Sequence, residues 1–361
     1  MKSRDPFLDG IRGLAIILVL LGHAIQFANG SSYLASGKYL ENFPFKIIYG
    51  LHMPLFMSIS GVLCGIKNYK KIFPLLTSRF WGLLVPIFSW SVIDYGIRSV
   101  ILHKVHSYGV LSFAKKIVGT CAYNMWFLWA LFYCTIIVVL MCKLSPKKCC
   151  LCFAAFMVCM LITPDVLNFG NYKFMFPYFF IFYMFGRAGM WGRLKLLSMS
   201  KLLILFAATL FVYSFAMRFW ENTYYIYTTG ISLIGKDASK QVLIDVIRWG
   251  TGFCGVIFVM AICLIFDRFF ASAWKTSYLA NFGKASLGIY AISNTVFLYF
   301  VPYATDAWNF NWGRTAAISA MVLLFTYLLN NTIARISFLD VLLLGGRNKP
   351  INATVNACDC K

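Results

Sequence analysis

A histidine and an arginine eleven positions apart in an apolar segment are the first sign of chemistry in this chain. Residues 9–23 read D-G-I-R-G-L-A-I-I-L-V-L-L-G-H. In an α-helix each residue turns about 100° and rises about 1.5 Å, so Arg12 and His23 share a face and stand roughly 16 Å apart along the axis. Asp9, about one turn before Arg12, joins that face. A guanidinium suits a phosphate or carboxylate, and a neutral imidazole suits proton transfer near neutral pH. A helix-helix hydrogen bond is the plainer use of a histidine inside a span, and spacing alone leaves both readings open.

A second segment, residues 51–65, reads L-H-M-P-L-F-M-S-I-S-G-V-L-C-G. Pro54 removes a backbone donor and can kink a helix, while Ser58, Ser60 and Gly61 permit close helix approach or open backbone toward a cavity. His52 precedes the kink at a depth His23 can also reach. The candidate catalytic set is therefore His23, His52 and Asp9, although Asp9 is better placed to pair with Arg12 than to orient His23. Asp94 is a candidate carboxylate behind the imidazoles, with an i, i+4 pair to Arg98 as the simpler explanation.

Composition says what must hold these residues. The chain has 361 residues, 60% hydrophobic and 12% charged, with a mean hydropathy of +0.74. Soluble domains are about one-quarter charged, so this is an integral membrane protein. Its apolar runs are long enough for spanning helices rather than the short alternating segments of a β-barrel. The fold class expected is an all-α polytopic bundle of about ten transmembrane helices. They fall at 11–28, 47–65, 80–101, 121–142, 149–162, 175–190, 202–219, 242–265, 285–301 and 315–337.

With the N-terminus in the cytoplasm, this layout puts about 21 of the 33 basic residues on the cytoplasmic side. Both termini are then expected there. The net charge of +21 is dispersed among the spans, so no nucleic acid partner is expected. One transmembrane domain is expected over 1–345, with a short cytoplasmic tail over 346–361. Two outward segments exceed what a connection needs. One is 102–120, with His103 and His106, suited to an interfacial or re-entrant helix; the other is 221–240, rich in tyrosine and threonine. Most cysteines sit in or beside apolar runs, where a thiol is a small hydrophobe. Cys358 and Cys360 lack the further ligands of a zinc site, and no metal is expected. No cleavable signal peptide is convincing at the N-terminus.

The two motifs together resemble the membrane-bound acyltransferase family 3, in particular its polysaccharide O-acetyltransferase and fucose 4-O-acetylase-like branch. D-G-I-R-G-L-A with the R-x10-H spacing, and H-M-P-L-F-x-x-x-S-G, carry the resemblance most specifically. Arg79 followed by Pro86, M-W-F-L-W at 125–129 and S-L-G-I-Y at 286–290 extend it over most of the chain. Gly82 stands where many relatives have a second arginine, and Ser293 where they often have a histidine.

The resemblance implies acyl transfer from a cytoplasmic acyl-coenzyme A, most simply acetyl-coenzyme A, to a hydroxyl of a cell-envelope or exported saccharide or a lipid-linked saccharide. It implies donor contacts from Arg12, Arg79, Lys67, Lys70 and Lys71, and catalysis at His23 by base action or through an acyl-histidine. Ser60, Asn124, Trp126 and Tyr290 are the candidates for the substrate cavity. Membrane lipids surround such a protein, and a bacterial inner membrane is the expected location. Succinyl transfer is the alternative within the family. A transporter or flippase with a path through His23, Asp94 and Arg248 is the alternative outside it. Oligomeric state leaves no readable motif.

Overall fold

Asp5 starts the first helix earlier than hydropathy suggests. Its carboxylate accepts from the Phe7 amide at 3.0 Å, and Pro6 occupies the first turn, where a missing N–H costs nothing. The helix, α1, runs Pro6–Phe27, five residues ahead of the expected span at 11–28, and Asp9 and Arg12 both lie within it. The structure is a computed structural model that describes residues 5–64, 72–101, 110–141, 144, 146–165, 173, 176–270 and 277–346. Lys67, Lys70, Lys71, His103, His106, Cys358 and Cys360 lie outside the described residues, as does nearly all of the expected tail.

After α1 come α2 (Phe43–Cys64), α3 (Phe73–Val100), α4 (Ala114–Tyr123) and α5 (Trp126–Met141). Next are α6 (Pro146–Ile162), α7 (Phe176–Gly186), α8 (Met199–Arg218), α9 (Ala238–Phe270) and α10 (Tyr278–Lys284). The last are α11 (Ser286–Ala304), α12 (Trp312–Ile333) and α13 (Ser337–Leu344). Among the described residues, seven of these are long and apolar enough to cross a membrane: α1, α2, α3, α8, α9, α11 and α12. An eighth forms if α4 and α5, bent by 73°, count as one span.

The ten expected spans are thus matched by seven or eight long ones. The segments expected at 149–162 and 175–190 contain shorter apolar stretches, Leu151–Ile162 within α6 and Phe176–Gly186, below the about 17–20 residues a straight crossing needs. The segment expected as one span over 121–142 is broken at its start. There Met125 takes φ 49°, a conformation uncommon outside glycine, with its amide held by the Asn124 side-chain oxygen at 2.9 Å.

α1 and α2 are the most enclosed of the long helices and α8 is the least. Glycine lets α1 reach the centre. A Cβ on Gly13 would lie 1.9 Å from the Leu279 carbonyl oxygen, and one on Gly283 would lie 1.8 Å from that of Asp9. The backbones of α1 and α10 therefore touch, as small residues allow between spans. α2 meets α7 in the same way: a Cβ on Gly61 would lie 2.5 Å from the Phe182 carbonyl oxygen. Large apolar side chains from both helices, Ile16, Leu20, Leu55 and Met57 among them, are fully enclosed. Two π-helical turns interrupt the outer helices, Phe80–Leu84 in α3 and Val296–Phe300 in α11. Each borders a cavity, a frequent placement for such turns.

Candidate active site

Two cavities open along the enclosed faces of α1 and α2. The first, about 290 Å³, holds both imidazoles: His23 from α1 and His52 from α2 line it together with Gln26, Tyr49, Trp126, Tyr178 and Arg248. The second, about 390 Å³, is lined by Arg12, Arg79 and Lys284, with Ser60, Ser286 and apolar side chains such as Phe56, Leu128 and Leu131. Three residues, Val19, Met53 and Tyr290, belong to both walls. The cavities are therefore neighbours, with these three side chains standing between them. Val19 lies one turn before His23 on α1, and Met53 follows His52 on α2, so this partition sits directly beside the imidazoles.

The two histidines are prepared differently. His52 Nδ1 lies 2.6 Å from the Ile48 carbonyl oxygen, one turn back on α2. A carbonyl only accepts, so Nδ1 carries the proton and Nε2 keeps its lone pair. Tyr49 sits edge-on against the His52 ring, centroids 4.9 Å apart. His23 is held by rings instead: Phe297 and Phe27 meet it edge-on at 5.6 and 6.0 Å. Its Nδ1 is buried with no hydrogen-bond partner among the described residues. Pro54, lacking an N–H, leaves the Gly50 carbonyl without its helical donor, and both residues line this cavity beside Gly252 of α9. A Cβ at Gly252 would lie 3.1 Å from the Pro54 ring.

The far wall of this cavity is built from the segment between α8 and α9, where Trp220, Tyr224, Tyr225 and Tyr227 line it. Tyr225 and Tyr227 are stacked, 5.5 Å apart at 19°. Burial pushes both phenols up from their ordinary range, so they remain neutral hydroxyls. Two charged clusters hold the segment. Arg248 donates to the carbonyls of Tyr224, Gly230, Thr223 and Tyr225 at 2.6–3.1 Å, to the Thr229 hydroxyl, and to Asp245 at 2.7 Å. Asp165 accepts from Lys236 at 2.7 Å, from Lys173 at 3.2 Å and from the Ser232 amide at 3.2 Å. Partial burial alone raises the Asp165 carboxyl, but the two ammonium groups outweigh it and hold it below the usual carboxylate range.

Of the residues singled out by sequence, His23, His52 and Trp126 are brought to the first cavity, Arg12, Arg79 and Ser60 to the second, and Tyr290 to both. Asp9 is buried in the first turn of α1 and lines neither. Asn124 also lines neither. It donates to Asp94 at 2.6 Å and accepts from Asn294, itself on the first cavity's wall, at 3.3 Å. Asp94 takes a second bond, from Thr295 at 2.5 Å, so Asn124 and Thr295 hold the carboxylate expected to pair with Arg98. Asp94 lines neither cavity and, among the described residues, reaches the first one only through Asn124 and Asn294.

Lys284 and Ser286, just before and within the S-L-G-I-Y motif, were missed. The available signal was that Ser286 stands one turn before Tyr290, with Lys284 two residues ahead of it. Tyr49, Tyr178 and the stacked tyrosines carry no motif.

The acyltransferase domain family matches this chain over residues 5–331. Nodulation protein NolL of Sinorhizobium fredii is 27% identical over 248 residues, 67% of this chain and 65% of that protein. Nodulation protein NolL of Mesorhizobium japonicum is 23% identical over 322 residues, 85% of this chain and 81% of that protein. The match thus spans just under two thirds of the length of the Sinorhizobium protein. No solved structure matches the chain.

Proposed function

The chain belongs to acyltransferase family 3, and from that premise we propose that it is a membrane O-acyltransferase moving an acetyl group from acetyl-coenzyme A to a saccharide hydroxyl. The observation that carries this reading is the pair of neighbouring cavities, one basic and one holding both imidazoles, with Val19, Met53 and Tyr290 between them. A donor with a polyanionic head and a long thin arm suits that layout. Arg12, Arg79 and Lys284 bind its phosphates, joined by Lys67, Lys70 and Lys71, and the arm carries the thioester to the partition. The acceptor lies in the aromatic cavity, whose ring faces and hydroxyls suit a sugar's apolar C–H faces and polar edges.

His23 takes the proton of the acceptor hydroxyl as its oxygen attacks the acyl carbon. The new C–O bond forms, the C–S bond breaks, and the proton passes from the imidazole to the departing thiolate, releasing coenzyme A as the thiol. His52, its Nδ1 proton held by Ile48, offers the Nε2 lone pair to a hydroxyl of the acceptor. The start of α1 and both termini of the chain lie in the cytoplasm, where acyl-coenzyme A is made, and the aromatic cavity faces the other side of a bacterial inner membrane. The acceptor is an envelope or exported saccharide, or its lipid-linked precursor. Comparing the mass and linkage of envelope glycans with and without the gene tests this. The expected result is loss of one ester-linked acyl group on deletion and its return on complementation; identical glycans would sink the proposal.

A further inference from the structure

Resting on that reading, we propose that Val19, Met53 and Tyr290, the side chains between the two cavities, part to form a constriction that selects the acyl group, admitting a small uncharged one and rejecting both longer chains and the carboxylate of a succinyl group. The order of entry follows from charge. The nucleotide end of the donor is bulky and polyanionic and stays with Arg12, Arg79 and Lys284. The acyl group is then the leading end, and it must enter the constriction before its carbonyl carbon can reach an imidazole.

The three side chains there are tightly enclosed, 2%, 5% and 8% exposed, and none carries a charge. The Tyr290 ring is braced edge-on by Phe127, centroids 6.1 Å apart. Met53, a flexible thioether, is the deformable member and yields to a two-carbon group. A butyryl chain brings two further methylenes between the same three enclosed side chains. A succinyl carboxylate would have to leave water and the basic cavity behind and pass among apolar side chains with no cation beside it, a costly transfer. Arg248 does not help, because its donors are occupied by Asp245, Thr229 and the carbonyls of the aromatic segment.

The test measures kcat/KM of the purified full-length protein for acetyl-, propionyl-, butyryl- and succinyl-coenzyme A, beside Met53→Ala and Val19→Ala. The native protein is expected to favour acetyl over succinyl by roughly a hundredfold and to fall steeply from acetyl to butyryl. Either substitution is expected to raise the butyryl-to-acetyl ratio by about tenfold or more, the scale of one or two methylenes in a pocket. A ratio inside one protein is insensitive to how much of a variant folds, and Val19→Ala serves if Met53→Ala does not fold. Acetyl use with equal succinyl use, or with ratios unmoved in the variants that fold, overturns the filter and leaves acyl transfer standing. Consumption of none of the four donors overturns both.

Discussion

His23→Ala is expected to abolish acyl transfer while the protein remains folded and inserted. Removing a positioned general base costs about 10²–10⁴-fold, enough to take a slow membrane enzyme below detection. The fold gives up little in exchange. His23 makes no hydrogen bond among the described residues, and its ring contacts with Phe27 and Phe297 are two edges in a wall of many. Transfer of labelled acetyl by the purified variant, beside its melting temperature in detergent, separates the two effects. His52→Ala makes the informative comparison, because it also removes the bond to Ile48. It is expected to lower kcat/KM for the acceptor without abolishing transfer. Full transfer by the His23 variant together with none by the His52 variant would exchange their roles.

Arg12→Ala and Arg79→Ala are each expected to raise the apparent KM for acetyl-coenzyme A by about tenfold or more and to leave the acceptor KM nearly unchanged. A hydrogen bond to a charged group is worth about 1.5–3 kcal/mol, and both guanidiniums line the cavity remote from the aromatic wall. Arg79 gives one N–H to the Cys64 sulfur at 3.3 Å, while its Nε is buried without a partner among the described residues. The guanidinium thus has donor capacity that the described residues do not use. Titrating donor at saturating acceptor, then acceptor at saturating donor, checks the split. Unchanged donor affinity in both variants would remove the arginines from the donor site.

How much of this the sequence carries depends on the distance over which each feature is decided. Arg12, Val19 and His23 lie on one helix, and the 3.6-residue repeat fixes their shared face without tertiary help. His52, Met53 and Pro54 are legible for a similar reason, since proline's missing donor acts within one turn. Asp94 was misjudged because its partners come from elsewhere in the chain, Asn124 from the break between α4 and α5 and Thr295 from α11, whereas a sequence offers only the local Arg98. Arg248 gave no hint of its role either. It organises the aromatic segment through backbone carbonyls, which every residue has. Hydropathy alone sets the expected span at residue 11, whereas a cap and a proline start α1 at Pro6. The break before Trp126 was missed because Met125 adopts a backbone conformation that its residue type rarely takes.

The central claim is that donor and acceptor meet from opposite sides of the membrane at the Val19–Met53–Tyr290 constriction. Purified protein of uniform orientation in sealed vesicles tests it most directly, with labelled acetyl-coenzyme A supplied on the side of Arg12 and a membrane-impermeant saccharide enclosed on the other. The expected result is labelled saccharide inside intact vesicles, dependent on His23, with no label when the donor is supplied only on the saccharide's side. Label appearing only when donor and saccharide share a compartment would contradict the claim.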